Sequence, residues 1–222
     1  MFAALLAALF VTTAGRVSAE VPPPQQVNAP AGRCRTYSID ETRVSKTGTL
    51  RIKCTYDTST NQHVCHEDYS GGSSYSFVQT TQFGSVADFV ADASRALFFP
   101  HAKTIVVKFP SSTSTQLYSY DARGNLATIA TASSAGGGGS MVQVFTAWDA
   151  FGRPTLGHDE TQTYALTYDD AQRLVTMKAG ALPSTMTVKL DANGNQIETT
   201  TVSPTFRDAS TIKIHATQDI CK

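Results

Sequence analysis

A short phrase returns four times in the second half of this 222-residue chain, and it limits the possible folds more than any other feature. It runs Tyr118-Ser119-Tyr120-Asp121-Ala122-Arg123-Gly124-Asn125-Leu126, then Trp148-Asp149-Ala150-Phe151-Gly152-Arg153. It returns from Tyr164 through Tyr168-Asp169-Asp170-Ala171-Gln172-Arg173 to Leu174, and finally as Leu190-Asp191-Ala192-Asn193-Gly194-Asn195. Alternate residues before each aspartate are large and apolar (Tyr118 and Tyr120; Tyr164, Leu166 and Tyr168), the period of a strand with one greasy face. An aspartate followed three residues later by glycine is a type I turn signature. The carboxylate accepts backbone N–H bonds inside the turn, and glycine takes the backbone angle that other residues resist. Asp121, Gly124, Asp149, Gly152, Asp191 and Gly194 are therefore turn residues, as is Asp169, although Gln172 stands where its glycine should be. Each unit is a strand, a turn and a returning strand. Such a hairpin is not stable alone and must pack on its neighbours.

The aspartates are 28, 20 and 22 residues apart, and the long first interval holds Ala135-Gly136-Gly137-Gly138-Gly139-Ser140, a flexible loop grafted into one repeat. The phrase resembles the YD repeat of the Rhs/teneurin family, an aromatic-x-Tyr-Asp-x-x-Gly-Arg/Asn-Leu pattern. The match covers about residues 116–202, with Trp148 and Leu190 in place of the tyrosine in two units. A short, exported bacterial member is what the resemblance points to. It implies a mainly β fold in which antiparallel hairpin repeats form a curved sheet or partly rolled sandwich. It also implies contacts with surface glycan or another envelope protein.

Upstream of the repeats, Met1 to Gly15 is an uncharged apolar run followed by Val17-Ser18-Ala19, the form of a signal peptide over residues 1–19, though no basic residue precedes it. Export predicts a secreted or periplasmic protein with no membrane span once the leader is cut. Four prolines between residues 20 and 33 make an extended linker. In an oxidising compartment four cysteines imply two disulfides out of three possible pairings. Cys54 and Cys65 flank a short polar loop, and Cys34 and Cys221 lie near the ends of the mature chain. The expected bridges are Cys54–Cys65 and Cys34–Cys221.

Residues 34–115 read as an N-terminal β region. Leu50, Ile52, Cys54 and Tyr56 alternate with Arg51, Lys53 and Thr55, a half-buried strand. Residues 36–44, 75–83 and 104–109 read as further strands. One amphipathic helix is expected at about 85–98, capped by Ser85, with Val86, Phe89, Val90, Ala93 and Leu97 on its apolar face. Residues 203–222 read as a last strand, about 211–215, closing an edge, and a tail.

Basic and acidic residues balance at 18 each, so no global field favours nucleic acid. The repeat aspartates are turn caps rather than catalytic acids. His63, His66 and Glu67 form the densest metal-capable cluster and the basis of an alternative reading, a secreted metal-dependent hydrolase. Their spacing matches neither a zincin helix nor paired Cys-x-x-Cys ligands. No catalytic residue and no cofactor is therefore expected. The aromatic residues suggest a binding protein, because exposed rings stack on sugars and peptides.

Overall fold

The computed structural model describes residues 34–71, 74–89, 100–134, 139–180 and 184–221. The signal peptide (1–19), the linker (20–33), residues 90–98 of the expected helix and most of the glycine tract lie outside them. Fourteen strands follow one another: β1 (Cys34–Val44), β2 (Gly48–Asp57), β3 (Gln62–Gly71), β4 (Tyr75–Phe83), β5 (Ala102–Lys108), β6 (Thr113–Tyr120) and β7 (Leu126–Ser133). Then come β8 (Ser140–Trp148), β9 (Pro154–His158), β10 (Thr163–Asp169), β11 (Leu174–Ala179), β12 (Ser184–Leu190), β13 (Gln196–Ser203) and β14 (Phe206–Cys221). Each pairs antiparallel with the next, and β14 pairs back to β1, so the sheet closes into an up-and-down barrel.

Closure corrects the expected curved sheet or partly rolled sandwich. An open sheet would leave β1 and β14 as edges, each with a row of unsatisfied N–H and C=O groups. These two strands instead satisfy each other along a register running from Cys34↔Cys221 to Val44↔Thr211. The Cys34–Cys221 bridge ties off the seam, and Cys54–Cys65 links β2 to β3, the two pairings expected from sequence. In the chain-entropy picture, a bridge that spans 187 residues removes the freedom of almost the whole described chain, about 5 kcal/mol.

The stacking of separate hairpin repeats, implied by the family resemblance, is corrected as well. Strand β11 pairs at six positions with β10 inside its own repeat and at six with β12 outside it. The hairpin is thus not a unit of the wall. The repeats supply β6–β13 of one continuous ladder, and the expected boundaries at 115/116 and 202/203 fall inside β6 and β13.

Alternation sorts the side chains. Inside lie Leu50, Ile52, Cys54 and Tyr56 of β2, Tyr164, Leu166 and Tyr168 of β10, and Val188 and Leu190 of β12. Outside lie Arg51, Lys53, Lys178, Lys189, Glu198 and Lys213, all exposed. Because successive strands reverse direction, all four repeat turns lie on one rim. Cys34, Cys221 and the turn between β2 and β3 share it. The opposite rim carries the turn at 45–47.

Residues 86–89 form a helical turn on the repeat-turn rim. Ser85 Oγ accepts the Asp88 N–H at 3.2 Å, which is the cap expected there.

Candidate functional site

The four repeat turns share a hydrogen-bonding scheme along one rim of the barrel. In Asp121–Asn125 the Asp121 carboxylate accepts the N–H groups of Arg123 and Asn125 (2.8 and 2.9 Å), and Gly124 takes φ +79°. Asp149 and Asp191 repeat this geometry, with Gly152 at +75° and Gly194 at +81°. In the third turn, Gln172 keeps an ordinary φ and Arg173 takes the left-handed angle, +54°. Asp169 there accepts the Gln172 N–H at 3.0 Å.

By spacing alone the residue after each glycine is only a turn position, yet in the folded chain it links the rim together. Asn125, Arg153 and Asn195 are buried polar side chains. Arg153 donates to its own Asp149 (2.6 Å) and to Asp170 of the next turn (2.6 and 3.1 Å), with its guanidinium 4.2 Å above the Tyr168 ring. Asn195 bonds the β1 backbone twice, donating to Thr36 O and accepting from Ser38 N. The signal that could have found these links is an Asn or Arg recurring at a fixed offset.

Beneath this rim an aromatic cluster fills the barrel. Phe89, 1 % exposed, stacks on Tyr56 at 4.1 Å and meets Tyr37 and Phe83 edge-on, while Arg35 lies over its outer face. His63 belongs to this cluster. Its Nε2 is 3.6 Å from the Cys65 sulfur, and burial, aided by the charge of Arg35, pushes its imidazole down to about 4. Cys54, His63 and Cys65 bring their donor atoms within 4.8 Å of one another, but both sulfurs are spent in the disulfide and offer no thiolate to a metal.

The expected His63, His66 and Glu67 cluster does not converge. His66 faces outward and is exposed. His63 and Glu67 face inward, four residues apart along β3, which is about 13 Å in an extended strand.

Glu67 belongs to a different site, on the inner wall toward the opposite rim. One row across the wall reads Ile214, Glu41, Ile52, Glu67 and Phe77, and the next reads Ile212, Arg43, Leu50, Tyr69 and Tyr75. The rings form a ladder: Tyr69 on Tyr75 at 5.0 Å, Tyr75 on Phe77 at 6.0 Å, Phe77 on Phe109 at 5.1 Å. Tyr69 donates its hydroxyl to Thr47 O at 2.6 Å and lies across Gly48 and Gly71, where any Cβ would strike its ring. Tyr75 remains 39 % exposed and Phe206, at the start of β14, 38 %.

Arg43 is committed to Glu41, with Nε and Nη2 at 2.8 and 2.7 Å from Oε1. Glu67 is 9 % exposed and has no hydrogen-bond or ion-pair partner among the described residues. Burial pushes its carboxyl up to about 7; Arg43 works against the rise and Glu41 adds to it. The arrangement combines aromatic rings, two carboxylates and one guanidinium on the inner wall, toward the rim opposite the repeat turns. It has no nucleophile–base pair and no set of converging metal donors among the described residues.

No family model and no curated protein matches the chain. Among solved structures, a porin-like protein from Bacteroides uniformis ATCC 8492 is similar at 9 % identity and a TM-score of 0.37, covering 82 % of this chain and 95 % of that one.

Proposed function

We propose that this chain is an exported, water-soluble β-barrel that binds carbohydrate, non-enzymatically, at the end of its interior opposite the repeat turns. The aromatic ladder Tyr69–Tyr75–Phe77–Phe109 carries this reading. Ring faces on a rigid wall stack on the apolar faces of sugars, and the neighbouring Glu41, Arg43 and Glu67 supply acceptors and donors for hydroxyls. Two disulfides suit a secreted or periplasmic setting, since such bonds persist in oxidising compartments.

The outer surface supports a soluble rather than membrane-embedded barrel. A membrane barrel presents an apolar band outside and polar groups inside. Here Arg51 faces outward, ion-paired to Asp40 at 2.7 Å, and Lys189 lies opposite Glu198, while the interior holds the apolar clusters. Each lysine or arginine at the midplane of a bilayer would cost about 2–4 kcal/mol.

Calorimetric titration with a panel of neutral, acidic and amino-bearing oligosaccharides tests the proposal. Binding to at least one class, weakened tenfold or more by Phe77→Ala with the barrel still folded, is the expected result. A folded protein that binds none of the panel, or that binds equally well without Phe77, overturns it.

A further inference from the structure

Resting on the carbohydrate-binding reading, we propose that the ligand carries a positively charged amino group, held by Glu67 against the ring of Phe77: an amino sugar rather than a neutral one. The geometry favours a cation over a neutral hydroxyl on three counts. Glu41 and Glu67 bring two carboxylates to the inner wall, flanking Ile52 in one row, while the hydrogen bonds of the Arg43 guanidinium go to Glu41. Glu67 is thus a buried acid facing the barrel interior without a partner among the described residues, and burying a charge without compensation is costly. Phe77 lies directly opposite Glu67 in the β3–β4 register, so an ammonium at the carboxylate also has an aromatic ring as its neighbour, and such rings attract cations.

Neutral sugar hydroxyls can hydrogen-bond Glu67 while it keeps its proton, whereas an ammonium compensates the ionised carboxylate as well as donating to it. Among the described residues, the ionisable neighbours of Glu67 in the strand register are Arg43 and Glu41 of β1, Tyr69 of its own strand and Tyr75 of β4. Arg43, the only cation of this set, is the one already paired.

The test compares two oligomers with the same backbone, tetraglucosamine and its N-acetylated counterpart, by calorimetry at pH 6.5 on the full barrel. The amine form should bind at least tenfold more tightly. Glu67→Gln should bring the two within about twofold, and Phe77→Ala should weaken both. Equal or tighter binding of the N-acetylated oligomer to the unaltered protein overturns the cation preference and leaves the carbohydrate reading standing. Tight amine binding that survives Glu67→Gln unchanged also overturns it, by removing the assigned carboxylate. If neither oligomer binds, the inference falls, and the wider panel decides the reading on which it rests.

Discussion

Replacing Arg153 tests the idea that the repeat turns form a chain rather than four independent caps. The side chain is 6 % exposed and reaches two carboxylates, Asp149 in its own turn and Asp170 in the next, while lying over Tyr168. The bond to Asp149, which is 22 % exposed, is charge-assisted and contributes about 1.5–3 kcal/mol. Asp170 is 56 % exposed, so water screens it and its share is nearer ~0.5 kcal/mol. The desolvated stack on Tyr168 adds about 1 kcal/mol. Arg153→Ala should therefore cost about 3–5 kcal/mol, in the range found when one partner of a buried pair is removed. In a chain of this size the melting temperature should fall by about 10 °C. Arg153→Asn installs the residue found at positions 125 and 195, which bonds its own aspartate but cannot reach Asp170 or cover Tyr168. It should recover about half of the loss. Urea unfolding at pH 7, followed by tyrosine and tryptophan fluorescence, measures all of this. A cost below about 1 kcal/mol for Arg153→Ala would contradict the chain of turns, because the rim links would then carry no stability.

Three further substitutions probe the interior and the irregular turn. Glu67 holds its proton up to about 7 when folded, against 4.5 for an ordinary glutamate, so between those pH values the folded state binds more protons than the unfolded one. Stability must then fall as pH rises through this window, by about 3 kcal/mol in all, and level off above it. Glu67→Gln should remove that slope, leaving the variant more stable than the parent at pH 8 and about equal to it near pH 4.5. Thermal melts across pH 4.5–8 read the difference, and parallel curves would sink the assignment. Arg173→Gly should raise stability by about 0.5–1 kcal/mol by relieving the left-handed angle, whereas Gln172→Gly should lower it by a similar amount. The opposite order would mean that the third turn has the geometry of the other three.

Much of the local structure was legible from the chain. The alternation around Ile52 and Tyr56, the Asp-to-Gly turns and the cap at Ser85 all follow from contacts within a few residues, and both disulfides were reachable from cysteine positions. Glycine's absence at position 172 signalled a deviant turn. That the strain moves to Arg173 required the backbone itself.

Global shape was not legible. Strand, turn and return are the same whether a sheet curls, stacks or closes, because each is satisfied by nearest neighbours in sequence. Closure depends on β1 meeting β14, a pairing between residues 187 apart that no local pattern encodes. The candidate site shares that limit. His66 and Glu67 are adjacent in sequence, but strand alternation sends one to solvent and the other to the interior, beside Phe77 and the paired Glu41 and Arg43. Which segments become strands, and where they turn, is written into the chain itself, since those preferences act over a few residues. Which face is inside, which end is filled and which acid is left without a partner emerge only on closure. Those outcomes are set by the register of strands distant in sequence, and register is a property of the closed barrel as a whole.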